Sequence, residues 1–237
     1  DVSSMQYILH GAAPCPVASK RAMMDWFGPI LWEYFAATEG SGASCSPEQW
    51  LSRPGTVGKP PAPDHVRILA DDGRPCAPGE IGTIYLRGAD EFAFEYLNDP
   101  DKTAAAHRDS HFTVGDIGYL DADGFLFVTD RDANIIISGG VNIYPAEVEA
   151  TLLEHPAVKD VAVVGVPDEE WGESVKAVVQ LEGTAHASDA LALELVDYCR
   201  RHIAHFKCPR TVDFIEQLPR DDNGKLYRRR LQGAWRV

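Results

Sequence analysis

Between residues 65 and 129 the chain repeats one arrangement, a short apolar run broken by a turn dipeptide, and few folds besides antiparallel β-structure accept it. HVRILADDGRP, GEIGTIYLRG and YLDADGFLFVTD follow one another there. Asp72-Gly73 and Asp123-Gly124 supply residues that tolerate positive φ, flanked by apolar residues that can pair across a hairpin. A small, twisted, mainly antiparallel sheet or barrel is expected. Upstream, strand-like pieces at 7–9 and 30–35 enclose a helical stretch near 18–27. The glycines, serines and prolines of 40–63 read as a long loop.

After Asp130 the pattern changes. Pro145 followed by Ala-Glu-Val-Glu suits a helix start, with proline in the first turn and carboxylates at the positive dipole end. Val148, Leu152 and Leu153 continue it as an apolar stripe. Residues 158–166 and 175–181 are β-rich runs separated by the turn-like PDEEWGE. Ser188 is placed to cap a helix in which Leu191, Leu195, Val196, Cys199 and Ile203 recur near helical spacing. A last strand, 211–215, precedes the loop LPRDDNGK. The expected fold class is multi-domain α+β, with a β-rich unit over 1–130 and a small α+β unit over 131–237.

Composition limits the function classes. A net charge of −14 argues against sequence-independent nucleic-acid binding. No apolar run approaches the roughly 20 residues that span a bilayer, so no transmembrane segment is expected. DVSSMQYILHGAAP has neither a basic leader nor a long apolar stretch. The five cysteines, 15, 45, 76, 199 and 208, are scattered without metal-ligand spacing and read as reduced thiols of a cytoplasmic protein. Lys225, Arg228, Arg229, Arg230 and Arg236 crowd the end. Such a basic tail is either a solvated face or a partner for an anion such as phosphate.

Four polar clusters can carry chemistry, and each has a plainer reading. Thr38-Glu39-Gly40-Ser41-Gly42 allows close approach to phosphate, with Glu39 beside Mg²⁺, or is a simple turn. Asp116 can accept both hydroxyls of a ribose, or is a turn aspartate. Arg131 can bind a nucleotide, and the diglycine Gly139-Gly140 gives either close backbone approach or a turn. Asn223-Gly224-Lys225 presents one ammonium, suited to a phosphoryl transition state or merely solvated.

Their order and spacing resemble the adenylate-forming superfamily of acyl-CoA synthetases, firefly-type luciferases and peptide-synthetase adenylation domains, over 11–225. Gly11-Ala12-Ala13-Pro14 resembles the segment bordering adenine and the acyl pocket. Phe35-Ala36-Ala37-Thr38-Glu39 resembles the motif whose aromatic packs on adenine, whose threonine touches the α-phosphate and whose glutamate helps bind Mg²⁺. The resemblance makes Asp116 and Arg131 ribose ligands and puts Val128 beside the base. It places Gly139, Gly140 and Val141 along the pantetheine tunnel, with Trp171 and Phe206 against coenzyme A or, equally, in the core. Lys225 becomes the lysine that approaches the carboxylate and α-phosphate.

The implied protein is the C-terminal half of an AMP-forming acid–CoA ligase that uses ATP, Mg²⁺ and coenzyme A on a small carboxylic acid, whether fatty, aromatic or a steroid side chain. A pivot of the second unit near 131–134 is implied between its two half-reactions. Phe35 stands where tyrosine is usual, and Ala36 where glycine is. The phosphate-binding loop of the family lies upstream of Gly11, so the chain is expected to be a fragment or a truncated product. The rivals are an adenylation domain loading a carrier protein and a non-catalytic AMP-binding module.

Overall fold

Glu33 and Lys20 bring two charges into the first apolar core, and the chain around them folds so that each meets the other. A computed structural model describes residues 1–88, 94–222 and 224–232. It divides into two units, Asp1–Asp132 and Ala133–Val237. Asn223 and Arg236, named above, lie outside the described residues.

The first unit opens with β1 (Ile8–His10), α1 (Val17–Phe27), β2 (Leu31–Ala37), β3 (Gly40–Cys45) and α2 (Pro47–Ser52). β1 pairs parallel with β2, and β2 antiparallel with β3. Met24, Leu31, Cys45 and Trp50 form the core between them. Lys20, on α1, is 1% exposed; its Nζ lies 2.5 Å from Glu33 Oε2 on β2 and 5.1 Å from the Trp50 ring centroid. Each charge is buried because the other neutralises it.

The loop expected over 40–63 is corrected in part, because β3 and α2 occupy its first half. Glycine there reports packing, not disorder: a Cβ on Gly42 would lie 2.5 Å from Phe35 Cδ1. α2 starts with a capping box that the composition hid. Ser46 Oγ accepts the Gln49 N–H (3.2 Å), Gln49 Oε1 accepts the Ser46 N–H (2.9 Å), and Pro47 opens the helix.

The rest of this unit is the antiparallel sheet that the Asp-Gly turns require. It comprises β4 (Val66–Leu69), β5 (Gly82–Arg87), β6 (His107–Arg108), β7 (His111–Phe112), β8 (Asp116–Leu120) and β9 (Leu126–Arg131), with α3 (Pro100–Ala106) leading into β6. The described strand order is β6-β7-β5-β8-β9, with β4 on β5. Gly73 and Gly124 hold φ of +83° and +78° in the turns read from sequence. Ile68, Ile84, Leu86, Phe112 and Leu126 fill the core.

The second unit contains β10 (Ile136–Ser138), β11 (Val141–Ile143), α4 (Pro145–Leu153), β12 (Val158–Asp168), β13 (Gly172–Leu181), α5 (Asp189–His202), β14 (Thr211–Ile215) and α6 (Arg228–Gln232). β12 and β13 run longer than expected, so the turn shrinks from PDEEWGE to 169–171. β14 pairs parallel with β13, and β10 joins through Ser138 opposite Gly172.

Alternate residues of β12 face opposite cores. Val161 and Val163 pack with Val148, Leu152, Leu195 and Cys199 of α4 and α5. Ala162 and Val164 pack with Leu218 and Leu231 from the end of the chain. Burial on both faces explains why the run VAVV lacks polar alternation. Ser188 caps α5 through the Leu191 N–H as expected, and Arg200, Arg201 and His202 complement its negative end.

Glu33→Ala would leave the Lys20 ammonium buried without its partner. We expect a loss of about 3–5 kcal/mol in urea unfolding, against a much smaller loss for the double variant Lys20→Met/Glu33→Leu.

Candidate active site

In a sheet with parallel strands, ligand-binding loops leave the C-terminal ends of those strands. β1 and β2 deliver the first two motifs in this way: Gly11 follows β1, and Thr38-Glu39 follows β2. Gly11 must be glycine, since a Cβ would sit 2.6 Å from the Tyr34 carbonyl oxygen and 2.7 Å from its ring. Ala12 then takes φ +69°, a strained value of the kind that clusters where a chain contacts ligands. Ala12, Ala13 and Pro14 are exposed. Phe35 is half-buried, its ring over Gly42 and against the Ile84–Leu86 core.

Thr38 is exposed at the β2–β3 turn and Glu39 half-buried. The Tyr96 hydroxyl donates to Glu39 Oε1 at 3.5 Å, and the Lys102 ammonium lies 3.8 Å from the Tyr96 ring centroid. Tyr96 escaped the sequence reading because no spacing or motif marks it. Burial, and then the Glu39 charge, raise its hydroxyl pKa.

Among the described residues no three His, Cys, Asp or Glu side chains gather as a metal cage. Mg²⁺ ordinarily takes one or two carboxylates and completes its shell with phosphate and water, and the single carboxylate of Glu39 beside the exposed Thr38 turn fits that demand.

Asp116 and Arg131, read as separate signals 15 residues apart, are facing partners across β8 and β9. Arg131 Nε donates to Asp116 Oδ1 at 2.9 Å, and the Arg131 N–H to Asp130 Oδ1 at 2.7 Å. Asp116 is therefore a strand residue, which corrects the turn reading. Its side chain is 8% exposed, that of Arg131 54%. Burial raises the Asp116 pKa; the Arg131 charge and hydrogen bond oppose the rise, and Asp130 and Glu39 add to it. Glu39, Tyr96, Asp116 and Arg131 thus share one electrostatic neighbourhood. Val128, on the same strand as Arg131, is half-buried against the core.

In the second unit, Gly139 and Gly140 are the two-residue turn between β10 and β11, with φ of +58° and +78°. Positive φ at both positions defines the hairpin turn that follows strand twist. A Cβ on Gly139 would lie 2.5 Å from Trp171 Cε3, so this glycine also seats the indole. Trp171 and Phe206 are 41% and 56% exposed, and Val141 45%, which removes the core-packing reading of the two aromatics.

Lys225 is exposed on a tight turn. Asp221 Oδ1 accepts the Lys225 N–H (2.9 Å), and the Asp221 N–H donates to the Lys225 carbonyl (3.0 Å). The basic tail is not uniformly solvated. Arg228 is half-buried and forks onto Glu149, with Nη2–Oε2 at 2.9 Å, so the anion it meets is a carboxylate of its own unit.

These features match two family models, the AMP-binding enzyme over residues 1–96 and the AMP-binding enzyme C-terminal domain over 147–225. The chain belongs to this adenylate-forming, AMP-binding enzyme family. It is 41% identical over 226 residues to a 2-succinylbenzoate–CoA ligase of Geobacillus kaustophilus, covering 95% of the chain and 45% of the relative. It is 39% identical over 233 residues to a long-chain-fatty-acid–CoA ligase of Bacillus subtilis, covering 98% and 41%. The o-succinylbenzoate–CoA synthetase of Bacillus subtilis, solved with its acyl-adenylate intermediate, superposes with a TM-score of 0.85 at 35% identity, covering 97% of this chain and 46% of that one. The chain spans a little under half the length of these relatives.

Arg131→Met would remove the charge that opposes burial, and the Asp116 pKa, followed by carboxyl-carbon NMR, should climb further. A carboxyl whose folded pKa is raised contributes stability that is present below its unfolded value and lost as pH rises through the folded one. The variant should therefore lose more stability at neutral pH than in acid.

Proposed function

We propose that the polypeptide carrying this chain activates a carboxylic acid as an acyl-adenylate and transfers the acyl group to coenzyme A, releasing AMP and pyrophosphate. The observation that carries this reading is the pairing of Asp116 and Arg131, from two separate motifs, across β8 and β9 through a 2.9 Å hydrogen bond. As a carboxylate Asp116 accepts two hydrogen bonds from the ribose hydroxyls, and Arg131 both opposes the effect of burial on it and reaches the sugar. Phe35, Val128 and the 11–14 segment border the adenine, and Thr38 meets the α-phosphate. Mg²⁺ held by Glu39 would neutralise charge on the phosphate oxygens as a Lewis acid.

In the first half-reaction the substrate carboxylate attacks the α-phosphorus and pyrophosphate leaves. Lys225 stabilises the charge spread over the carboxylate and phosphoryl oxygens, as a compact ammonium suits. In the second, the coenzyme A thiol attacks the acyl carbonyl and AMP leaves. Gly139, Gly140 and Val141 line the thiol's approach, and Trp171 and Phe206 offer exposed aromatic faces to the coenzyme. The acids of the relatives, a succinylbenzoate and long-chain fatty acids, favour an aromatic or fatty acyl substrate. The small side chains of Ala12, Ala13, Ala36 and Ala37 agree with that class.

Lys225→Ala in the complete polypeptide should lower acid-dependent pyrophosphate release by about 10²–10³-fold, the usual cost of one oxyanion donor. Thioester formation from supplied acyl-adenylate should persist. Equal loss of both steps would contradict the assigned role, and no pyrophosphate release with any of a panel of fatty and aromatic acids would sink the ligase reading.

A further inference from the structure

A lysine on a free tail samples a wide volume, and a misplacement of about 1 Å at a reacting centre can cost 10²-fold in rate. Lys225 is on no free tail. Its turn is fastened to the sheet on both sides, by side chains distant in sequence.

Upstream, Arg220 donates through Nε and Nη2 to both carboxylate oxygens of Asp160 on β12, at 2.6 and 2.7 Å. Its remaining Nη1 donates to the carbonyl of Gly224 at 2.8 Å. One guanidinium thus ties the peptide immediately before Lys225 to a strand. A lysine in its place would lack the planar fork that makes these bonds together. Downstream, Arg228 grips Glu149 of α4 and donates to the Val163 carbonyl at 2.9 Å, while Glu149 Oε1 accepts the Val163 N–H at 2.7 Å. Arg228 and Glu149 are 17% and 15% exposed, so this anchor is shielded from solvent. Leu226, between the anchors, and Leu218 and Leu231, on either side of them, pack on the outer face of the sheet.

We propose that Arg220, locked by Asp160, is a positioning residue for the adenylation lysine: it holds the Gly224–Lys225 peptide in place, with the Arg228–Glu149 pair as the second anchor. This rests on the reading of Lys225 as the adenylation lysine. Arg220 touches no substrate; it acts by fixing the point from which the Lys225 side chain extends. Its removal should therefore lower kcat for adenylation, leave KM for ATP unchanged and leave thioester formation untouched.

Arg220→Ala, Arg220→Lys, Asp160→Asn and Lys225→Ala should be compared in the complete polypeptide. The measurements are ATP–pyrophosphate exchange, thioester formation from supplied acyl-adenylate, and Tm. Arg220→Ala should lower kcat for exchange by about 10²-fold at unchanged KM, with thioester formation intact. Arg220→Lys should recover only part of the rate, and Asp160→Asn, which preserves shape, should show the same selective loss even if Arg220→Ala does not fold. Exchange at the parent rate in Arg220→Ala and Asp160→Asn, with Lys225→Ala impaired, would overturn the positioning role while the reading of Lys225 stands. So would parallel losses in both half-reactions and Tm, which mark a merely structural arginine. Full exchange in Lys225→Ala would overturn the reading itself and the proposal with it.

Discussion

The β12–β13 hairpin is apolar on both faces, and two layers must therefore cover it. α4 and α5 take one face. The other would meet water unless the end of the chain folded back over it, which Leu218, Leu226 and Leu231 do. Hydrophobic burial thus fixes the path of residues 218–222 and 224–231, and with it the place of the segment that presents Lys225.

Polar contacts then remove the freedom that apolar packing leaves. Leucines on a sheet tolerate small slides, since dispersion contacts are many and weakly directional. A bidentate guanidinium–carboxylate pair is directional, and two of them flank this turn. Arg220 adds a bond to the Gly224 carbonyl that reaches the turn backbone itself. The division of labour is physical: area sets where the segment lies, and forked hydrogen bonds set its register.

Much of this was legible in the sequence because it is local. The Asp-Gly turns, the Ser188 cap, the helical spacing of α5 and the strand Thr211–Ile215 depend on neighbours within a few residues. β3 was misjudged because composition treats glycine as a breaker, whereas Gly42 is required by the Phe35 ring across the hairpin. Tyr96 is separated from Glu39 by 57 positions, and Arg220 from Asp160 by 60. No periodicity connects such pairs; only the folded sheets do. Asp116 and Arg131 fall between these cases. Each was visible alone, and their pairing follows once β8 and β9 are set in antiparallel register.

That pairing bears on how a carboxylate can serve in a buried place at all. Burial alone would favour a protonated Asp116, which has lost part of its accepting capacity and gained a hydrogen to donate. A ribose presents two hydroxyls and calls for an acceptor. The Arg131 guanidinium supplies the opposing charge on the partner strand, where register and not chain flexibility sets the distance. Because Arg131 is itself half in solvent, it can stabilise the carboxylate without being buried at comparable cost. The proposed ribose site therefore needs the β8–β9 ladder as much as it needs the aspartate.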